Sequence, residues 1–151
     1  VRISHTIKGL TSLDKKLQKF QKECLSGQVK AMQDAVFLIH GTAVELIQDN
    51  ASGTPQVRYT NGRARNVLAS KPGDAPNTDT GRLVQSIKFD FQDGGLKGRV
   101  GSNLKYAAWL EFGTKDMEPR PWLSTAVSMT AKNIGEIFAK AVRNSINEVT
   151  S

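Results

Sequence analysis

Residues 82–102, RLVQSIKFDFQDGGLKGRVGS, constrain the fold more than any other stretch of the chain. Ile87, Phe89 and Phe91 alternate with Lys88, Asp90 and Gln92, the period-2 pattern of a strand with one buried face. Gly94-Gly95 supplies a turn, and Leu96 to Gly101 returns as a second strand. Thr80 is placed to cap a short helical turn through Leu83 and Val84 just before this hairpin.

The flanking segments read mainly as helices. Val1, Ile3, His5 and Ile7 first alternate with Arg2, Ser4, Thr6 and Lys8, which predicts a half-buried strand ended by Gly9. Thr11 or Ser12 can then cap a helix whose apolar positions are Leu13, Leu17, Phe20 and Cys24. The pattern hesitates at Gly27 and resumes from Val29 to Ile47, so it predicts two helices or one long helix with a weak point. Asn50 to Gly53 ends it. A closing helix is expected from about Pro121 to Asn147, with Pro121 in its first turn, where a missing N–H costs nothing. Strands at the start and middle with helices elsewhere give an α+β class. A small, mainly antiparallel sheet (N-terminal strand plus central hairpin) is packed by the N-terminal and long C-terminal helices.

Residues 51–79 read as a long basic loop. SGTP, NG, KPGDAP and NTDTG are turn chemistry, and Arg58, Arg63, Arg65 and Lys71 have no acid among them. Within it RYTNGRAR can form a small hairpin, because Asn61-Gly62 suits a type I′ turn. A structureless connection of this length is uncommon in a small domain.

At 151 residues the chain has the size of one domain, so residues 1–151 are taken as a single unit. One cysteine, Cys24, forms no intrachain disulfide, which suits a reducing compartment. The longest aliphatic-aromatic run, AVFLI, is far short of a membrane span, and no signal-like segment opens the sequence. The expectation is therefore a protein made in the cytoplasm with no membrane partner. Net charge is +7, much of it in residues 1–30 and in the 58–71 tract. Such charge fits either polyanion contact or a solvated basic face.

Catalytic signals are absent. His5 lies in a strand pattern and His40 in a helix pattern, without a carboxylate motif around either. There is no H-E-x-x-H, no paired-cysteine zinc spacing, no phosphate-binding loop and no nucleophile elbow. Asp79-Thr80-Gly81 lacks the second triplet that an aspartic-protease dyad requires. The expectation is no enzyme, no metal and no cofactor.

The block KYAAWLEFGT, residues 105–114, carries more information. As a helix it puts Tyr106, Trp109 and Leu110 on one side and Phe112 elsewhere, with Gly113 ending the turn in a left-handed conformation. Glu111 is its only acid, and PRPW then brings Trp122 to the start of the last helix. These residues are either core or subunit interface, where Trp, Tyr and Arg are the usual anchors.

Several blocks in order resemble one family. A T-G-x-L-x-x-S-I element (Thr80, Gly81, Leu83, Ser86, Ile87) precedes the hairpin, which ends at Val100-Gly101. A Y-A-x-x-x-E-F-G-T block follows (Tyr106, Ala107, Glu111, Phe112, Gly113, Thr114), then a P-x-P-W-L helix start at Pro119, Pro121, Trp122 and Leu123. The arrangement, specific over about residues 78–127, is similar to that of the neck and minor-tail components, or tail-completion proteins, of long-tailed bacteriophages.

The resemblance implies a structural virion protein at the head–tail junction. It would form a six-fold ring around the DNA channel, beside connector, tail-terminator or tail-tube proteins. Tyr106, Trp109, Leu110, Glu111, Phe112 and Trp122 become candidates for subunit interface or packing, with Glu111 satisfied by backbone donors or a nearby Arg. Arg58, Arg63, Arg65 and Lys71 become candidates for contact with duplex DNA or a partner ring. The competing reading is a free-standing basic nucleic-acid-binding module, which the spread of basic residues over two segments disfavours.

Overall fold

The computed structural model describes residues 10–50 and 52–150, so the strand expected over Val1 to Lys8 lies outside the described residues. Helix α1 spans Leu10–Gln48, 39 residues, a rod of roughly 58 Å at 1.5 Å per residue. Thr11 and Ser12 already lie inside it. Helix α4, Leu123–Thr150, runs antiparallel along α1. Its last turns meet the early turns of α1, where Lys19 Nζ donates to Glu148 O at 2.9 Å.

Gly27 does not break α1. It marks a close approach of α4, because a Cβ there would stand 3.1 Å from Ser145 Oγ. The buried Ser145 hydroxyl reaches Ala141 O in its own helix at 3.0 Å and Glu23 O across the interface at 3.3 Å. The helical cost of the glycine, about 1 kcal/mol relative to alanine, is offset by contact between the two helices.

Between the long helices lie two separate two-stranded antiparallel sheets. Strand β1 (Thr54–Thr60) pairs with β2 (Arg63–Ala69), and the turn is the expected Asn61-Gly62, with φ of 52° and 76°. This hairpin is longer than RYTNGRAR and occupies more than half of the tract read as a loop. The correction has a plain cause: Thr54, Gln56 and Asn66 are turn-forming or polar residues, yet they lie in register opposite Ala69, Val67 and Val57.

The central hairpin forms as its alternation requires. Strand β3 (Ile87–Gln92) pairs with β4 (Lys97–Ser102), Phe89 opposite Val100 and Phe91 opposite Gly98. The turn, Asp93–Gly95, is a 3-10 turn in which all three residues have positive φ. The sheet rests on α1, where Phe37 meets Phe89 edge-to-face with centroids 5.1 Å apart. Gly98 lets the backbone come so close that a Cβ would overlap Val36 Cγ2.

Helices α2 (Arg82–Ser86) and α3 (Lys105–Phe112) complete the fold. The cap of α2 is Gly81 in the left-handed region, not Thr80. Ser86 and Ser102 hydroxyls lie 2.6 Å apart, joining α2 to the end of β4. The main core gathers Ala43 and Ile47 of α1, Leu83, Ile87, Ala107, Trp122 and Ala126. This core draws on five elements, and its alanines leave room for the one indole.

Gly98→Ala is expected to destabilise the protein by about 1–3 kcal/mol, the usual cost of overpacking, because both Val36 and Met32 face the new methyl group. Gly101→Ala is the matched control: a Cβ there meets nothing within 4 Å. Urea denaturation of the pair checks this. Equal midpoints would show that β4 and α1 are not in tight contact.

Candidate assembly surfaces on the third helix and the basic hairpin

The sequence gives α4 no polar cap, since Pro121, Trp122 and Leu123 lead into it. The first N–H groups of a helix have no partner within it. Here Glu111 of α3 supplies the acceptors. Its Oε2 receives the backbone N–H of Trp122 and of Leu123, both at 2.9 Å, and its Oε1 that of Ser124 at 2.8 Å. A carboxylate at the positive end of the α4 dipole is further favoured electrostatically. Burial alone would raise the pKa of Glu111; hydrogen bonds from the Ser124 side chain and from the Leu123, Ser124 and Trp122 backbones outweigh it. The carboxyl is held below its ordinary value of 4.5.

The chain must reverse between Glu111 and Trp122. Gly113 starts the reversal at φ 77°, ψ −179°, a region outside the left-handed helix and essentially restricted to glycine. A Cβ would also meet Met117 O at 2.8 Å. Thr114 and Met117 close the turn, and Arg120 N donates to Leu110 O at 2.7 Å. The Arg120 guanidinium goes not to Glu111 but to Ser70, donating from Nε to its carbonyl at 3.2 Å. Of the two partners open to Glu111, backbone donors are the ones present.

Helix α3 has two unlike sides. Ala107 is buried, Tyr106 and Leu110 pack partly buried against the core, and Trp122 is 2% exposed, with Nε1 donating to Ala107 O at 3.4 Å. Trp109 parts from Tyr106 and Leu110: it is 54% exposed, and Phe112 is 78% exposed. The sequence expectation that Trp109 shares a side with Tyr106 and Leu110 is corrected. At 100° per residue Trp109 lies about 60° from both Tyr106 and Phe112, and its exposure sets it with Phe112, away from the buried Ala107.

The four basic candidates do not form one cluster of free charge. Arg58 and Arg65 lie directly opposite in the β1–β2 register, and like charges so placed repel. Asp79 sits between them, 3.1 Å from Arg58 Nη1 and 3.5 Å from Arg65 Nη1, the second an ion-pair contact rather than a hydrogen bond. Asp79 thus cancels half of that charge and ties the hairpin to the segment before α2. Asn77 adds a second tie, its Nδ2 donating to Ser52 O at 2.7 Å and Leu68 O at 3.0 Å. Arg63 and Lys71 are exposed and have no ion pair among the described residues.

The register also reveals a surface that reading the tract as a loop concealed. Opposed residues share a face, so Arg58, Arg65, Gln56 and Val67 lie on one side. Pro55, Val57, Tyr59, Ala64 and Leu68 lie on the other, and all five are exposed. The signal was alternation within TPQVRYT, legible only once both strands are paired.

Glu111→Ala is expected to cost about 2 kcal/mol, the upper end for loss of a helix N-cap. Because the folded pKa is lowered, the charge of Glu111 adds stability that is full above pH 4.5 and is lost as the pH falls through the folded value. The gap between wild type and Glu111→Gln should therefore shrink on acidification. Urea midpoints from about pH 6 to about pH 3 test this. A gap that stays constant would deny the carboxylate its role.

Comparison with protein families matches residues 11–113 to a family described as bacteriophage HK97-gp10, a tail component. The match takes in α1, both hairpins and α3 up to Gly113, and stops before PRPW. It includes the N-terminal helix, whose sequence alone is generic. No curated protein and no solved structure matches the chain. With well over half its length matched, the chain belongs to the HK97-gp10-like family of bacteriophage tail components.

Proposed function

We propose that this tail component acts at the head–tail junction, as a tail-completion or head–tail joining protein that forms a ring around the DNA channel. Its role is structural and not catalytic, and it needs no cofactor. Family membership over residues 11–113 is the observation that carries this reading. A ring needs two different complementary patches on each subunit, and the outer faces of α3 and of the β1–β2 hairpin are two separate exposed apolar surfaces. Connector, tail-terminator or tail-tube proteins would lie above and below. Positive charge suits a lumen through which duplex DNA must pass, since lysine and arginine touch phosphates without reading sequence.

The test is electron microscopy of lysates from phage lacking only this gene product. DNA-filled heads beside finished but unjoined tails, or tails of abnormal length, are expected. Normal joined particles would overturn the junction role.

For the DNA contact, duplex binding by wild type and by an Arg58/Arg63/Arg65 triple alanine variant is compared across salt concentrations. The wild type should show a steeper loss of affinity with salt, each phosphate contact adding about 0.9 to the slope. Negligible binding by both would remove DNA contact from the proposal, whereas tight binding by an isolated monomer would favour the free-standing nucleic-acid module.

A further inference from the structure

We infer that the apolar face of the β1–β2 hairpin docks on the outer face of α3 in a second copy of this chain, around Trp109 and Phe112. The inference deepens the ring reading above and rests on it.

The hairpin calls for a partner on physical grounds. Two strands alone are marginally stable in water, and β1 and β2 share no sheet with the rest of the described chain. Its inward face looks into the chain's own body: Gln56, Arg58 and Val67 line a cleft of about 430 Å³ together with Tyr106 and Leu110 of α3. Its outward face leaves Tyr59 77% and Val57 56% exposed, with Leu68 beside them.

The second patch lies on the opposite flank of the same region. The hairpin faces the Tyr106 and Leu110 side of α3 across that cleft, whereas Trp109 and Phe112 stand exposed outside it. The two patches therefore face apart within one chain and meet only between chains. Such a contact is heterologous, with different surfaces on each partner, so every copy binds one neighbour on each side.

Area and charge both suit this pairing. Each patch leaves roughly 250 Å² of apolar surface in water, at ~150–250 Å² per aromatic side chain, enough for the centre of an interface of ~800 Å² per partner with a polar rim. The turn after Phe112 holds Asp116 and Glu118 against Lys115, both acids exposed and without an ion pair among the described residues. Of the hairpin's three arginines, Arg58 and Arg65 are held by Asp79, and Arg63, next to the turn, has no ion pair among the described residues. Attraction at the rim would orient the docking.

The test uses the full chain with Cys24→Ser, which removes the only native thiol. One variant adds Tyr59→Cys, the other Phe112→Cys. Under mild oxidation the mixture should form a cross-linked heterodimer at least ten-fold faster than either variant forms a homodimer. Equal rates, or faster homodimerisation of one variant, would overturn the pairing. A second readout keeps surface damage apart from docking. Tyr59→Glu and Phe112→Glu should each remain monomeric in sedimentation, while mixing them should restore a dimer that grows no further, since each retains the patch the other lacks. No association in the mixture, or persistent self-association of either variant, overturns the inference.

The tail role fails separately. Normal particles from phage lacking the gene would refute it even where the cross-link forms. Unjoined heads and tails without any cross-link would refute the docking alone.

Discussion

Three backbone N–H groups converging on one carboxylate hold this structure in its working form. Glu111 ends one helix and begins the next, so α3 and α4 are set at a fixed relation by a charge-assisted contact rather than by packing alone. That contact brings Trp122 into the core and leaves Gly113 no conformation that a side chain could share. The rest follows in order. With Trp122 buried against Ala43, Ala107 and Ala126, α4 is aimed back along α1, and the outward side of α3 is turned to solvent.

Packing then divides the molecule into a tightly packed part and an appended hairpin. The β3–β4 hairpin is pressed on α1 at Gly98 and at the Phe37–Phe89 contact. The β1–β2 hairpin is fastened chiefly by polar ties, Asp79 to Arg58 and Arg65, and Asn77 to Ser52 just before β1 and to Leu68 in β2. Exposed ion pairs of this kind contribute little, about 0–1 kcal/mol each. The arm is positioned by them more than stabilised, which fits a surface completed by a neighbour.

Local periodicity made the central hairpin, both long helices and the Asn61-Gly62 turn legible, because each is a short-range pattern. Gly27 leaves one helix or two open for a reason of the same kind: a glycine within a helix reads as a weak point, and only the partner helix that needs the space decides between them. Two features were tertiary. Trp109 and Tyr106 are close enough in sequence for either face, and only the position of the core decides between them. The outward face of the first hairpin is invisible until Val57, Tyr59 and Leu68 are set in register across the turn. The acceptor role of Glu111 was half legible: backbone donors were one of its two expected partners and PRPW reads as a helix start, but local sequence does not join the two across the intervening turn.

The chain has only two tryptophans, and α3 separates their surroundings. Trp122 is sealed in the core, its indole hydrogen-bonded to a carbonyl, while the ring of Trp109 stands largely in water on the outer side. Intrinsic fluorescence is therefore the sum of a blue-shifted emitter protected from collisional quenchers and a red-shifted one open to them. The first reports the integrity of the fold and the second the state of the surface, so the native chain carries its own optical label for each.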